Sequence, residues 1–464
     1  MSLLPRGWRA VFWVFRLAVV SVLAVACSPK RVRENDGPPM ISFPRVAVDS
    51  AKPAPATPET ASILTIEPPP PRLEGARDVR VALATAAQGA ALSGTGAFRI
   101  FDAKNAVLVR ARGPDVWNVE RRGRQLRATR QGTSTSWSDG MLTLRPDREE
   151  ELGMFGPARY RGAIRVIATD TGIVIVNVLP VEWYLRGVVP LEIGPRAPNE
   201  QAAAEAQAIA ARSYAVVRLT ATDGGGPRNA NYDMLSSVAD QVYGGADAER
   251  PFANLAVART LGQVIKYNGR VVSAPYHSTC GGETAEADEV WRSGNEPFLK
   301  RVSDRIPGTA DKFYCDISPR FTWTRSLSSD ELDGAVRAYL GQYVPVPSGG
   351  VGHVRDATVD SRTPSGRVAR LILAAEKGTY ALRGNDIRYV LRTPGGEILN
   401  STYFSVQSEL RRDGTLARLV VKGNGYGHGI GMCQWGAIGR ARAGQSARAI
   451  LATYYPGTTV GLMN

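Results

Sequence analysis

An alanine-rich stretch, residues 199–219, constrains the fold of this chain more than any other segment. Alanine has the highest intrinsic helix propensity, so the stretch predicts one long helix. Asn199 suits the N-cap and Glu200 suits the first turn, where a carboxylate interacts favourably with the helix dipole. Because the side chains are short, neighbouring backbone can come close, and we expect this helix to pack tightly against the rest of the protein.

Strand signals dominate the chain before this helix, and mixed signals follow it. Alternating hydrophobic and polar residues predict strands at 79–83, 98–101, 106–109, 142–144, 164–167 and 173–176. Later elements are predicted from local signals: a helix at 256–263, a hairpin at 264–274 turning at Asn268-Gly269, a helix at 328–340 that begins at a Ser-Ser-Asp-Glu cap, strands at 368–374 and 389–392, and a helix at 447–454. We therefore predict an α+β fold, a β-rich scaffold that carries the alanine-rich helix.

The N-terminus has the pattern of an export signal. Three arginines precede an apolar run at 17–26, which is too short to span a membrane as a mature helix. Cys27 follows Ala-Val-Ala and resembles a bacterial lipoprotein cleavage site, although Ala24 stands where leucine is usual. We expect an exported protein of the cell envelope, lipid-anchored to the membrane at Cys27, with plain secretion and an uncleaved anchor as alternatives. Residues 28–76, rich in Pro and Ala, are predicted to be a disordered linker.

The net charge of the 464-residue chain is +14, which favours an acidic or polyanionic partner. Nucleic acid, anionic lipid and acidic cell-wall polymer all qualify. Since the sequence contains no block of lysine and arginine with interleaved aromatic residues, we expect no nucleic-acid partner. Together with the export signal, the charge points to polymers of the envelope.

Glu192 is a lone acid in apolar surroundings, preceded by Gly-Val-Val-Pro-Leu and followed by Ile-Gly-Pro. Burial disfavours the charged form of a carboxyl group, so we expect a raised pKa. Such a carboxyl has the properties of a general acid. By contrast, Arg212 lies two turns on from Glu205 on one face of the predicted helix, and periodicity alone favours a structural ion pair between them.

Two glycine-rich segments are candidates for ligand contact. In the first, Gly281 and Gly282 would let backbone amides approach a ligand while Ser278 offers a hydroxyl, with a plain tight turn as the alternative. In the second, 423–437, glycines alternate around His428, which excludes a regular helix or strand and favours a loop wrapped around a ligand.

The cysteines other than Cys27 are Cys280, Cys315 and Cys433. In an exported protein a disulfide is the first expectation, and Cys280 with Cys315 is the candidate pair, which leaves one thiol over. The spacing of His277 and Cys280 is a weak metal signal. Cys433, close to His428, suits either a thiol nucleophile or a binding loop.

Three segments together resemble the stage II sporulation protein D (SpoIID) family, which includes amidase enhancers: residues 188–192 with 206–215, residues 241–245 through 278–284, and residues 427–437. The resemblance runs from about residue 79 to the C-terminus. It implies a peptidoglycan lytic transglycosylase that acts on glycan strands stripped of their stem peptides, with the alanine-rich helix beside the active-site groove. It also divides the folded domain, 77–464, into a β-rich part (77–180), a catalytic segment (181–320), an α+β part (321–420) and a glycine-rich motif with a C-terminal helix (421–464).

The resemblance places the catalytic residue at Glu192 and turns Arg212 from a structural residue into a substrate contact. The other expected substrate contacts are Gln207, Ser278, Gly281, Gly282, His428 and Gln434. A lysine common in the family is Glu205 here, and the zinc ligands of some relatives correspond to Leu235, Ala239 and Asp240. We therefore expect no metal and no cofactor, and the sporulation role does not transfer with the resemblance.

Under this hypothesis Glu192 cleaves the bond between MurNAc and GlcNAc, leaving 1,6-anhydro-MurNAc ends. A single acid suffices because the nucleophile is internal, whereas most hydrolases need two carboxylates. Two alternatives stay open. One is a muramidase-type hydrolase using Glu283 or Asp288 as second acid; the other is a non-enzymatic peptidoglycan-binding activator of an N-acetylmuramoyl-L-alanine amidase.

Overall fold

The computed structural model describes residues 32–34, 67–73, 77–220, 230–291, 294 and 296–463. Cys27, the export signal and most of the predicted linker lie outside these residues. None of the helices within the described residues combines the length and hydropathy that a membrane span requires.

The strands of the described residues are, in chain order, β1 (Val32–Glu34), β2 (Asp78–Ala87), β3 (Ala90–Gly94), β4 (Ala97–Phe101), β5 (Val107–Arg112), β6 (Trp117–Arg122), β7 (Gln125–Arg130), β8 (Thr133–Ser134), β9 (Ser138–Asp139), β10 (Met141–Pro146), β11 (Gly153–Phe155), β12 (Ala158–Tyr160), β13 (Ala163–Ala168), β14 (Ile173–Pro180), β15 (Met234–Leu235), β16 (Gln263–Tyr267), β17 (Arg270–Val271), β18 (Tyr276–His277), β19 (Thr322–Ser328), β20 (Val354–Arg362), β21 (Val368–Ala375), β22 (Gly378–Arg383), β23 (Phe404–Leu410), β24 (Leu416–Asn424), β25 (Met432–Cys433) and β26 (Thr459–Leu462). The α-helices are α1 (Val181–Ile193), α2 (Gln201–Thr220), α3 (Pro251–Arg259), α4 (Ala287–Val290), α5 (Ser329–Tyr339), α6 (Asp386–Val390), α7 (Gln434–Arg442) and α8 (Ala447–Tyr454). The fold is α+β, as predicted.

Two sheets form the β-rich part. One has the order β15-β2-β14-β13-β10-β4-β5, and the other has the order β12-β11-β3-β6-β7-β8. Strand β13 alternates between buried and half-buried residues, whereas β14 is buried along its whole length. Since β14 leads directly into α1, this buried strand fixes where α1 begins.

Helix α2 is the predicted alanine-rich helix, and its alanines are buried against α1, α3, α7 and α8. The predicted N-cap at Asn199 is wrong. A 3-10 turn, Pro198–Glu200, precedes α2, and the Glu200 carboxylate accepts a hydrogen bond from Ala197 N at 3.0 Å. Proline at the first position of the turn has no N–H to leave unpaired, which favours this alternative start.

A second hydrophobic core lies between Leu327 and Val421, built by β19–β24 and α5. Ser328 caps α5 and forms the expected capping box with Glu331. The predicted strand at 389–392 is wrong, because Tyr389 and Val390 end the short helix α6. After β24 the chain returns to the first core through β25, α7 and α8, and α8 has the predicted bounds.

The end of the predicted linker is docked on α1. Pro70 O accepts a hydrogen bond from Trp183 Nε1, and Pro68 O accepts one from the Arg186 guanidinium, both at 2.8 Å. Proline cannot donate from its backbone but keeps its carbonyl acceptor. Residues 67–73, which fall within the predicted linker 28–76, therefore contact the folded domain.

Candidate active site

Glu192 lies in the last turn of α1, a helix that is otherwise almost entirely buried. Its neighbour Leu191 is 46% exposed, and Glu192 itself is half-buried. Gly194, at a φ of 71°, ends the helix, and its N–H bonds to Pro190 O. The carboxyl group therefore sits where a buried helix emerges at the surface.

Two donors hold this carboxyl group. Val242 N donates a hydrogen bond to Glu192 Oε1 at 2.8 Å, and the Tyr276 hydroxyl donates a second. Gln241 Nε2 in turn donates to the Tyr276 hydroxyl at 2.9 Å, and the Tyr184 hydroxyl donates to Gln241 Oε1 at 3.1 Å. Sequence reasoning gave Tyr276, Gln241 and Val242 no role, although all three lie in or beside the segments that carry the family resemblance.

Burial raises the pKa of Glu192 from its ordinary value of 4.5 to about 7, and the hydrogen bonds from Val242 and Tyr276 oppose that rise. The sequence-based expectation of a raised pKa is confirmed. At neutral pH the group is therefore present in both its protonated and its ionised form, as a residue that acts as acid and then as base requires.

His428 lies close behind Tyr276 and is bound by backbone on both sides. Ile430 N donates to His428 Nδ1 at 3.1 Å, so Nδ1 carries no proton and Nε2–H donates to Tyr276 O at 2.9 Å. Burial, with a further contribution from nearby His277, holds the pKa of His428 well below its usual range. His428 is thus a neutral residue that positions the Tyr276 backbone. Both ring nitrogens bind backbone groups, and the expected substrate contact of His428 stays a prediction.

The paired glycines face protein. Gly281 has a φ of 79°, and a Cβ there would lie 2.8 Å from Asn424 Cβ. Gly282 has a φ of 113°, and its Cβ would lie 3.1 Å from the Phe313 ring. Both glycines allow loops to pack closely, which favours the tight-turn alternative over the predicted ligand contact.

Ser278 is half-buried just before that turn, and its hydroxyl lies 3.4 Å from that of Thr279. Its carbonyl accepts a hydrogen bond from Trp435 N at 3.0 Å. Unlike Gly281 and Gly282, which face protein, Ser278 is therefore a half-buried residue that could still contact a substrate.

Arg212 is fully buried and forms a two-point ion pair with Glu182, with Nε–Oε1 and Nη2–Oε2 distances of 2.7 Å. A third donor, Nη1, reaches Gln263 O at 3.0 Å. The structural reading from periodicity was right in kind but wrong in partner, since Glu205 pairs instead with Arg259 at 3.4 Å. The structure thus places Arg212 in a buried pair that ties α2 to α1, while the substrate contact expected from the family resemblance stays a prediction.

Gln207 and Gln434 are brought together from distant parts of the chain. Gln434 Nε2 donates to Gln207 Oε1 at 3.2 Å, and both side chains are buried. Among the described residues no acceptor binds Gln207 Nε2. The pair joins α2 to the start of α7, which lies within the segment that sequence analysis treated as a loop.

Cys280, Cys315 and Cys433 are free thiols in the structure. The sulfurs of Cys280 and Cys315 lie 3.4 Å apart, well beyond the roughly 2.05 Å of a disulfide bond, so the predicted disulfide is not formed. Cys433 and Asp304 lie beside this pair. Sequence analysis did not single out Asp304, which carries no local motif.

A cavity of about 900 Å³ opens between residues 288–291 and the α+β part, lined by Trp291, Tyr343, Arg383, Asp386 and Tyr389 among other residues. Glu192 is not part of its lining, so this cavity and the candidate acid are separate. The Trp291 ring lies 5.1 Å from that of His428, between centroids, and His428 binds the backbone of Tyr276. One aromatic contact thus connects the cavity wall to the surroundings of Glu192.

Comparison with known proteins gives two family matches. The model described as Stage II sporulation protein, SpoIID, matches residues 169–267, which include Glu192, Gln207 and Arg212. A domain of unknown function, DUF8618, matches residues 285–431, which include His428.

Individual proteins match at about the same level. Stage II sporulation protein D of Bacillus amyloliquefaciens is 31% identical over 300 residues, which cover 61% of this chain and 75% of that protein. An uncharacterized protein of Brachyspira hyodysenteriae is 30% identical over 304 residues, covering 65% and 72% respectively. The amidase enhancer of Bacillus subtilis is 31% identical over 313 residues, covering 60% of this chain and 40% of the enhancer.

Proposed function

The chain belongs to the SpoIID family, and on that premise we propose that it is a peptidoglycan lytic transglycosylase in which Glu192 is the acid and base. The observation that carries the proposal is the Glu192 carboxyl group, half-buried at a helix end with a pKa of about 7 and held by Val242 N–H. The substrate is the bond between MurNAc and GlcNAc in glycan strands, which we infer to be stripped of stem peptides. No cofactor is needed for this reaction.

The first step is proton transfer from Glu192 to the glycosidic oxygen. As the bond between C1 of MurNAc and this oxygen breaks, GlcNAc leaves with the proton as its free hydroxyl. An oxocarbenium-like centre develops at C1.

In the second step the C6 hydroxyl of the same MurNAc attacks C1. A bond forms between C1 and O6, and the hydroxyl proton returns to the Glu192 carboxylate. The product is the 1,6-anhydro sugar, the residue is regenerated, and no water is consumed. One carboxyl group with a pKa near the working pH serves both steps.

Substrate contacts are proposed from three side chains. Ser278 offers its half-buried hydroxyl, and the unpaired Nε2 of Gln207 beside Gln434 offers a donor to an N-acetyl carbonyl. Further along the bound glycan, the cavity lined by Trp291 supplies aromatic faces. These include the stacked rings of Tyr343 and Tyr389, whose centroids lie 6.1 Å apart. Aromatic faces and planar polar side chains are suited to sugar rings.

Two carboxylates, Asp288 from the hydrolase hypothesis and Asp240, which was not weighed there, are poorly placed to serve as the second acid or base. Asp288 lines the cavity that excludes Glu192. Asp240, whose charge acts on Tyr184 together with that of Glu192, accepts hydrogen bonds from the Tyr214 hydroxyl at 3.0 Å and from Leu235 N at 2.9 Å. Because both of its oxygens already accept hydrogen bonds, Asp240 is poorly placed to act as a base that activates water.

The test is incubation of the purified protein with denuded glycan strands and mass spectrometry of the products. Wild type should give anhydro ends, Glu192→Gln should give none, and Glu120→Gln, a matched change in the surface pair with Arg127, should behave as wild type. Reducing ends would instead indicate a hydrolase.

A second function is favoured by one specific observation, the similarity to the amidase enhancer of Bacillus subtilis. If wild type cleaves no glycan but stimulates an N-acetylmuramoyl-L-alanine amidase, and Glu192→Gln stimulates equally, the protein is a non-enzymatic activator. An amidase is in either case a proposed partner.

Location in the cell envelope is part of the same proposal. Its support is the N-terminal pattern ending at Cys27 and the charge of +14. Metabolic labelling with a tagged fatty acid should mark the wild type and not Cys27→Ser. Equal labelling of both would show that Cys27 is not the lipidated residue.

A further inference from the structure

Four buried side chains from separate parts of the chain converge on one point. Cys280 follows β18, Asp304 and Cys315 lie in the segment between α4 and β19, and Cys433 ends β25. Each is at most 1% exposed, and their sulfur and carboxylate oxygen atoms all lie within 4.8 Å of one another. Neither the proposed reaction nor the family matches assign this cluster a role.

The spacing of these atoms is that of tetrahedral coordination. With a Zn–S distance of about 2.3 Å, tetrahedral geometry sets the sulfur atoms about 3.8 Å apart and a carboxylate oxygen at a similar distance from each sulfur. The Cys280–Cys315 sulfur distance is 3.4 Å, and Cys280 Sγ lies 3.5 Å from Asp304 Oδ2. Small adjustments of these side chains are enough to place an ion between them.

Hydrogen bonds from neighbouring groups hold Cys433 and Asp304 in fixed orientations. Cys433 Sγ accepts backbone N–H groups from Cys280 at 3.2 Å and Gly436 at 3.3 Å. The other oxygen of Asp304, Oδ1, accepts from the Tyr454 hydroxyl at 2.7 Å and from Arg440 at 3.0 Å, leaving Oδ2 directed at the sulfurs. Outer partners of this kind fix the orientation of metal ligands.

We propose that Cys280, Asp304, Cys315 and Cys433 bind one zinc ion as a structural site. Three thiolates select a soft or borderline metal, and four protein ligands leave no open position for a substrate or water. The ion and Arg440 together would offset three of the four negative charges of the ligands. The sequence analysis expected no metal, so this site is a departure from it. The proposed ligands are also different residues from Leu235, Ala239 and Asp240, which occupy the positions of the zinc ligands of some relatives.

The site would hold the two glycine-rich segments together. β18 and β25 pair in parallel, with Tyr276 opposite Met432 and His277 opposite Cys433. Tyr276 is the residue whose hydroxyl binds Glu192. Metal binding at the end of this strand pair therefore positions the donor to the candidate acid without contacting substrate.

The test begins with the wild-type full-length protein, purified without chelator or reducing agent. Elemental analysis should give about one zinc per chain, and blocking the thiols with a mercurial should release it. After exchange with cobalt, the protein should show sulfur-to-metal charge-transfer bands and intense visible bands of tetrahedral Co²⁺.

Variants locate the ion. Cys315→Ser and Asp304→Asn should lower zinc content at least several-fold, and Ser318→Ala should keep it. Ser318 is a matched control because it is buried three residues from Cys315 and binds Thr279 through its hydroxyl at 2.7 Å, but it offers no ligand to the cluster.

Two results would overturn the proposal: a Cys280–Cys315 disulfide mapped in the unreduced wild type with no bound or reconstitutable metal, or unchanged zinc in folded Cys315→Ser. If the variants fail to fold, the metal content and cobalt spectrum of the wild type still decide. Because none of these measurements involves glycan cleavage, failure here leaves the proposed function standing.

Discussion

The hydroxyl of Tyr276 donates a hydrogen bond to the carboxyl group of Glu192, and these two residues lie 84 positions apart in a chain of 464. The bond lowers the pKa of Glu192 against the effect of burial, which raises it to about 7. It therefore sets the balance between the acid and base forms of the one residue on which the proposed reaction depends.

Removing this donor should alter the pH profile. In Tyr276→Phe the ionised form of Glu192 loses a charge-assisted hydrogen bond, so its pKa rises and the pH range of glycan cleavage shifts upward. The lost bond stabilises the carboxylate that forms when Glu192 gives up its proton, and it is worth about 1.5 kcal/mol or more. Because Glu192 becomes a weaker acid without it, we expect roughly a tenfold loss of cleavage rate at neutral pH. The measurement is the initial rate against pH for wild type and variant.

Tyr267→Phe is the matched control, since Tyr267 packs its ring on Phe298 at 5.7 Å, away from Glu192. A profile that stays unshifted in Tyr276→Phe, or shifts equally in the control, would remove Tyr276 from the site.

Glu192 should also make the protein less stable at neutral pH. The pKa rises from 4.5 when exposed to about 7 in the folded state, so between these values the folded state holds a proton that the unfolded state has released. Rising pH therefore favours unfolding, by up to about 3 kcal/mol. Glu192→Gln should match wild type near pH 4 and exceed its free energy of unfolding above pH 7, measured by urea titration.

The opposite result would be a free energy of unfolding that increases in wild type, relative to Glu192→Gln, as the pH rises. It would show that the folded state favours the ionised form of Glu192. Glu120→Gln serves again as the control, since Glu120 is a surface residue paired with Arg127.

The pair of Arg212 and Glu182 should behave as a structural unit. Breaking one partner of a buried pair leaves an uncompensated charge, so Arg212→Met is expected to lower the free energy of unfolding by about 3 kcal/mol or more. Glu182→Met with Arg212→Met should recover much of that loss, as measured by a double-mutant cycle. Arg259→Met, which breaks an exposed pair with Glu205, should cost much less.

A substrate contact would give a different result. If Arg212→Met unfolded like wild type but raised the KM for glycan strands, Arg212 would be a substrate contact and not a structural residue.

Gly281 should be intolerant of a side chain for reasons of packing. Gly281→Ala and Gly308→Ala share the cost of a positive φ, 79° and 77°, but a Cβ at Gly308 meets nothing within 4 Å. The excess cost at Gly281, about 2 kcal/mol, measures the contact with Asn424. Equal losses of stability in the two variants would show that the loops tolerate the methyl group.

Local signals accounted for much of the fold. Alanine content predicted α2, the capping box of Ser328 predicted α5, and Asn268-Gly269 predicted the hairpin of β16 and β17, where both residues have positive φ. The segment 389–392 failed because its β-forming residues lie at the end of a short helix packed into the second core, where tertiary contacts override propensity.

The site was less accessible to sequence reasoning. The pKa of Glu192 followed from its apolar neighbours, which are also its neighbours in space on α1. The partners of Arg212, His428 and Gly281 are distant in sequence, at Glu182, Tyr276 and Asn424, so periodicity could not find them. The same holds for Asp304, which reaches the cysteine cluster only through the tertiary fold.

The central claim is that Glu192 drives cleavage by an internal nucleophile, and the most direct measurement is product analysis in water enriched in heavy oxygen. Wild type should release strands whose new MurNAc ends are anhydro and carry no label, and Glu192→Gln should release none. Labelled reducing ends from wild type, or undiminished anhydro ends from Glu192→Gln, would contradict the account.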